Sequence, residues 1–162
     1  DIRLFQGRSA EVVDLLRGAA DDNPQIPCYR AVLALCLAAA GRLDDASVEY
    51  RHFADSDFVV PADTNRLLTL AVLADVAAAI EDVDGAAVLL ELLAPHQHRQ
   101  VVLNCFAGGG AYWGPVAGQL ARLAALIGDG RAERWRVSAI SAADSFGAPL
   151  AAARHRQDET SV

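Results

Sequence analysis

The sequence contains no methionine and no lysine, so all 14 of its basic residues are arginine. Without a methionine, residue 1 is no natural translation start, and the 162 residues are expected to be a piece of a longer protein. The missing lysine removes the Gly-Lys-Ser/Thr loop that cradles nucleotide phosphates. Three cysteines and 12 glycines are too few for a disulfide-dense or collagen-like chain. Three is also an odd number, so the cysteines do not all pair internally. Cys28 and Cys36 fall on one expected helix, about 12 Å apart along its axis, beyond the roughly 7 Å a disulfide spans. Reduced thiols and a cytoplasmic setting follow as expectations. Long apolar runs are missing too: the best, at 32–40 and 67–80, are short of the ~20 residues a bilayer requires. Neither a signal peptide nor a membrane role is expected.

What is present is apolar and helix-forming. Hydrophobic residues make up 53% of the chain, with 33 Ala and 20 Leu, which excludes disorder and favours an all-α fold. At this length one domain, 1–162, is the natural expectation, burying roughly 70% of the unfolded surface. The net charge of −7 is uneven: residues 1–98 carry 7 Arg against 16 acids, and residues 99–162 carry 7 Arg against 5. The one basic cluster, Arg131, Arg134 and Arg136 with Arg154 and Arg156 beyond, is interrupted by Glu133 and Asp144. It reads as a solvated helix face rather than a phosphate-binding stripe, so no direct nucleic-acid partner is expected.

Helical periodicity runs through most of the chain. Ser9 is placed as the cap of a first helix carrying Val12, Leu15, Leu16 and Ala19. Pro27 opens a second with Val32, Leu33, Cys36, Leu37 and Ala40, stopped at Gly41. A third shows Leu43, Ala46, Tyr50 and Phe53 on one stripe, followed by a connector that tucks Phe58, Val59 and Val60 against the core. Asp63 or Thr64 is placed as the cap of a fourth helix, 67–80, and Asp84 of a fifth with Ala86, Leu89, Leu90 and Leu93. Residues 96–113 have no clear period: an extended run Val101-Val102-Leu103 is followed by Gly108-Gly109-Gly110-Ala111, which reads as a flexible connector. Gly114-Pro115 then opens a sixth helix with Val116, Leu120, Leu123 and Ile127 at amphipathic spacing. A seventh carries Ala132, Trp135, Ala139, Ala143 and Phe146, and an eighth starts at Leu150 before a polar tail.

Turn signals recur. Ala38-Ala39-Ala40-Gly41-Arg42-Leu43-Asp44-Asp45-Ala46 matches Ala78-Ala79-Ile80-Glu81-Asp82-Val83-Asp84-Gly85-Ala86 at an offset of 40, and a looser third copy, with a shortened turn, follows 46 residues on at Ala124. Small residues after each turn let paired helices approach. The pattern is that of tetratricopeptide-like helical hairpin repeats, about seven or eight helices in a right-handed superhelical array.

Two stretches carry a closer likeness. One is Leu70-Ala71-Val72-Leu73-Ala74-Asp75-Val76-Ala77-Ala78-Ala79-Ile80 with Gly85-Ala86-Ala87-Val88-Leu89-Leu90-Glu91-Leu92-Leu93-Ala94-Pro95. The other is Tyr112-Trp113-Gly114-Pro115-Val116-Ala117 leading into Leu123-Ala124-Ala125-Leu126-Ile127-Gly128. Together they resemble the tetratricopeptide-like C-terminal region of large bacterial ATP-binding transcriptional regulators. Those signal-transduction ATPases join a P-loop ATPase to a LuxR-type DNA-binding domain or a nucleotide cyclase domain. The likeness spans roughly 30–155 and implies an arm that gates the ATPase and output domains. The chain departs from the family where Arg154-His155-Arg156-Gln157-Asp158-Glu159 is polar instead of apolar, and it carries no ATP-binding motif.

No catalytic constellation emerges from the residues. His96, His98 and Cys105 share one loop, but a structural zinc needs four caged ligands and only His52 stands upstream, so no metal is expected. Gly108-Gly109-Gly110-Ala111 lacks the Walker lysine. Ser138, Ser141 and Ser145 sit on the polar side of a helix with no nucleophile elbow. Glu49 and His52 read as a solvated i, i+3 pair. No cofactor and no enzymatic activity are expected. The expected function is a protein-interaction or regulatory module whose partner is a protein, a peptide, other domains of the parent chain or a small effector. The alternatives are a stand-alone adaptor or homo-oligomerising scaffold and, further off, a metal-binding or enzymatic domain built on residues 96–113. Aromatics and Arg are enriched at binding hot spots, which singles out Tyr50, Arg66, Tyr112 and Trp113 as candidate binding residues.

Overall fold

The computed structural model describes residues 6–105 and 109–157. Among them are eight α-helices: α1 (Val13–Asp22), α2 (Pro27–Ala39), α3 (Leu43–Ala54), α4 (Arg66–Ala79), α5 (Val83–Leu93), α6 (Val116–Leu126), α7 (Ala132–Ser145) and α8 (Pro149–Gln157). Short 3₁₀ turns at Ser9–Val12 and Ala94–His96 precede α1 and follow α5. Between α5 and α6 stand two antiparallel strands, β1 (Gln100–Cys105) and β2 (Gly109–Pro115). The chain is therefore mostly helical, as its composition predicts; the extended run Val101-Val102-Leu103 lies in β1, while the expected flexible connector at Gly109–Ala111 is corrected to the start of β2. What the sequence does not signal is the partner strand, whose glycines Gly109 and Gly110 read as a turn.

Helix α4 organises the rest. Every residue from Leu68 to Ala77 is buried, so this helix has no solvent face. A helix that is apolar all round belongs at the centre of a fold. It packs on α2, α5, α6 and β1, and the main apolar cluster is built around Leu70, Val72, Leu73 and Val76. A smaller cluster of Val13, Leu33, Cys36, Leu37 and Ala46 fills the space among α1, α2 and α3. Half-buried Val32 and Ile80 touch both clusters and make them continuous. Cys28 and Cys36 lie on α2 as buried free thiols, and burial pushes the pKa of each up. No helix among the described residues is long and apolar enough to cross a membrane.

Consecutive helices form hairpins α2/α3, α4/α5 and α6/α7, and their first members pack side by side, α2 on α4 and α4 on α6. The three inner turns share one hydrogen-bond pattern. Arg42 N–H donates to Leu37 C=O at 2.9 Å, Asp82 to Ala77 at 3.0 Å and Asp129 to Ala124 at 2.8 Å. The residue before each donor is left-handed: Gly41 at φ 77°, Glu81 at 57° and Gly128 at 70°. This is the Schellman closure, which satisfies carbonyls that a helix end otherwise leaves open. The bonds place the third turn 47 residues after the second, one more than the sequence alignment suggests.

Helix starts differ from expectation. Ser9 begins the 3₁₀ turn and is buried, making no cap bond to α1. Asp63 Oδ1 accepts from Asn65 N–H at 2.8 Å one turn before α4, and Asp84 lies inside the first turn of α5. Of the connector residues, Phe58 and Val60 are buried as expected, but Val59 is 78% exposed.

Gly85 of α5 lies against the Tyr50 side chain of α3. A Cβ there would overlap both the Tyr50 hydroxyl and the Asp82 carboxylate. Gly85→Ala therefore destabilises by about 1–3 kcal/mol through overpacking, and adding Tyr50→Phe recovers part of the loss; urea denaturation of the two variants checks this. Glu81→Gly, by contrast, relieves a left-handed non-glycine residue and raises stability by about 1 kcal/mol.

Candidate functional site

The strand pair is held by a break in its own register. Val101 pairs with Gly114 but Val102 pairs with Tyr112, leaving Trp113 as the extra residue of a bulge. Gly114, at φ 132°, permits this backbone. A bulge re-aims one side chain, and here it sends the indole inward while Tyr112 stays half-buried. Trp113 is 5% exposed and its Nε1–H donates to Asp75 Oδ2 at 3.0 Å. Arg122, from α6, forms an ion pair with Asp75 Oδ1. The carboxylate of the central helix thus receives one donor from β2 and one from α6.

The strand pair also contacts α7. The Tyr112 hydroxyl donates to Gln100 Oε1 at 2.6 Å, and its ring stacks on Phe146 at 4.5 Å and 18°. Burial pushes the Tyr112 pKa up. Trp135 Nε1–H donates to Gln97 Oε1 at 3.3 Å, while the Arg131 guanidinium sits 4.7 Å from the Trp135 ring centroid. Gln119, one turn before Arg122, is buried with its Oε1 unpartnered.

Of the four candidate binding residues, the structure brings Tyr112 and Trp113 together and leaves the others apart. Tyr50 is 2% exposed, its ring tilted against Phe58 at 5.4 Å; it fills the core and lines no surface. Burial and the neighbouring Asp82 carboxylate push its pKa up. Arg66 Nη1–H donates to the Val60 carbonyl at 2.6 Å and pins the connector. Trp113 is likewise an internal anchor, so of the four only Tyr112 presents aromatic surface, beside the exposed Phe146. Asp75 was the residue to find: it is the one acid inside the apolar run 67–80. Charges so placed are rarely buried without a partner.

A second buried carboxylate stands near the N-terminus. Glu49 on α3 accepts from Arg17 of α1 at 2.8 Å and from Arg30 of α2 at 2.5 Å, and Arg30 also reaches Asp21 at 3.2 Å. The solvated Glu49–His52 pair is thereby corrected: Glu49 faces inward at 6% side-chain exposure and only His52 faces solvent. Helical spacing misassigned it because i, i+3 neighbours straddle the edge of the buried stripe. Beside this knot opens a cleft of about 190 Å³, walled by Pro24, Ile26, Pro27, Arg30, Phe53 and Val59, with Ala20 and His52 completing it.

Among the described residues no three His, Cys, Asp or Glu side chains converge as a metal site would need. Cys105's side chain, Gly108 and the tail beyond Gln157 lie outside them. Ser138, Ser141 and Ser145 are exposed on α7. Three basic side chains near them are matched by acids: Arg131 with Asp129, Arg136 with Glu133 and Arg156 with Asp144. The Asp129 carboxyl is held down to about 2 by hydrogen bonds from the Arg131 side chain and backbone.

Two outcomes follow from these pairs. Arg122→Ala strands a carboxylate that is 4% exposed, so it costs about 3–5 kcal/mol, whereas Asp75→Leu combined with Arg122→Leu costs far less in the same urea titration. An NMR titration of Asp129 finds its midpoint at about 2, and Arg131→Ala returns it toward the ordinary carboxylate range. Because that pKa is depressed, its contribution to stability is full above the unfolded value near 4 and is lost as pH falls through 2.

Comparison with known proteins adds no name to this site: no protein-family model, no curated protein and no solved structure matches the chain.

Proposed function

We propose that this chain is a non-catalytic interaction and regulatory module, tetratricopeptide-like in build, that serves as a sensor or scaffold arm of a larger cytoplasmic signalling or transcription-regulating ATPase. The observation that carries the reading is the hairpin series. Three helical hairpins close with the same turn, and their first helices stack in chain order, α2 on α4 on α6. Such stacking creates an extended surface for a peptide or a neighbouring domain. The buried polar groups support the same reading, since Asp75 and Glu49 are both spent on holding helices together. The LuxR-type ATPase parent rests on the sequence resemblance alone.

The reading is tested in the source genome and then by calorimetry. The frame around this segment is expected to encode an upstream P-loop ATPase and an output domain. The isolated segment is then expected to bind the rest of that chain saturably at one to one. A frame with no ATPase, or no heat on mixing, contradicts it.

A self-associating scaffold is the second reading, favoured by exposed apolar side chains near the C-terminal end. Val102 is 47% exposed, Phe146 55% and Leu150 87%. Light scattering over a concentration series decides: a mass that doubles with concentration and reverts in Phe146→Ser plus Leu150→Ser supports it, and a constant monomer mass removes it.

A further inference from the structure

The cleft beside the Glu49 knot has features that core packing does not require. Its outer wall is Val59, an apolar side chain left 78% exposed. Two successive non-glycine residues hold it there in left-handed backbone, Asp57 at φ 51° and Phe58 at φ 56°. Such conformations cost about 1–3 kcal/mol each and persist where the surroundings over-determine them. Phe58, packed on Tyr50, supplies that restraint. The result is that Phe58 and Val60 turn inward while Val59 faces Pro24, Ile26 and Pro27 across the opening.

Size and charge narrow the occupant. About 190 Å³ is below the roughly 300–1,000 Å³ of sites for drug-sized ligands and cofactors. It suits one aromatic ring, since a dry cavity of about 150 Å³ accepts benzene. The Arg30 guanidinium in the wall is already bonded to Glu49 and Asp21. Exposed Asp21 and Asp22 follow the lining residue Ala20, and exposed Asp55 and Asp57 lie between the lining residues Phe53 and Val59. Arg51 offsets one of these charges. The rim is therefore net acidic around apolar side chains interspersed with Arg30 and His52.

We infer that this cleft is an anchor site for a partner peptide that inserts one aromatic side chain between Val59 and the Pro24–Pro27 turn while flanking Arg or Lys residues meet the aspartates. The inference deepens the interaction-module reading and rests on it only in taking a peptide as the occupant. Buried anchors of this kind dominate interface energies, and the acidic rim fixes the sign of the partner's charge.

Fluorescence anisotropy on the full 162-residue chain tests it with three dye-labelled peptides: Lys-Arg-Phe-Arg-Lys, the same peptide with Ala for Phe, and Glu-Glu-Phe-Glu-Glu. The basic Phe peptide is expected to bind about tenfold more tightly than its Ala counterpart, as burial of a ring predicts. The acidic peptide is expected to bind least. Val59→Asp separates docking from bulk attraction: it adds negative charge yet fouls the cleft, so docking weakens about fivefold whereas non-specific attraction strengthens. Val59→Trp, which fills the opening without charge, is expected to weaken binding as well. Equal affinity for the Phe and Ala peptides overturns the inference, as do tighter binding by Val59→Asp and preference for the acidic peptide. So does self-association of the free chain through this cleft, read as a dimer that Val59→Asp dissolves. None of these outcomes alters the one-to-one binding to the rest of the parent chain that tests the module reading, so the two fail separately.

Discussion

A single carboxylate, Asp75, decides how the two kinds of structure in this chain fit together. It lies on the one helix with no solvent face, and it takes a guanidinium from α6 and an indole from β2. A carboxylate in such surroundings is costly unless its oxygens are engaged, and removing either partner leaves a charge that the interior does not solvate. The fold is thus obliged to bring α6 and the strand pair onto α4 together. The bulge at Trp113 serves that requirement, because regular alternation would leave either Trp113 or its neighbour on the wrong side of the strand.

Repetition and centrality act together around that point. The Schellman closures at Gly41, Glu81 and Gly128 set the reversal of each hairpin, and Gly85 leaves room for Tyr50 of the preceding hairpin. The Glu49 knot does for α1, α2 and α3 what Asp75 does for α4, α6 and β2. The Asp75 knot joins elements far apart in sequence and the Glu49 knot joins three successive helices, so each ties down tertiary structure that local helix propensity leaves free. The surface left over is acidic in the first part of the chain and aromatic around Tyr112 and Phe146.

Much of the helical layout was legible. Ala and Leu content, the stripe Ala46, Tyr50, Phe53 and the spacing Val116, Leu120, Leu123 all report which side of a helix is buried, because burial follows the 3.6-residue period. Of the strand pair only the extended run Val101-Val102-Leu103 was legible; β2 was hidden because its glycines and the bulge at Trp113 leave no alternation to read. Cap positions slipped by one to three residues where Ser9 and Asp84 compete with neighbouring 3₁₀ or first-turn geometry. The candidate binding residues were chosen by type, and type does not report burial: Tyr50 and Trp113 went to the core. Asp75 and Glu49 illustrate the opposite case. Their partners, Arg122 and Arg17 with Arg30, are 47, 32 and 19 residues away, and nothing local in the sequence joins them.

If Asp75 joins them, the strand pair and the helical hairpins open as one unit. Native-state hydrogen exchange measures this directly, amide by amide. The paired amides of β1 and β2 are expected to share the slow, global opening of α4, and in Asp75→Ala to exchange by a separate, faster opening while α2 and α3 keep a common one. Strand amides that exchange rapidly and independently of α4 in the unaltered chain would contradict it.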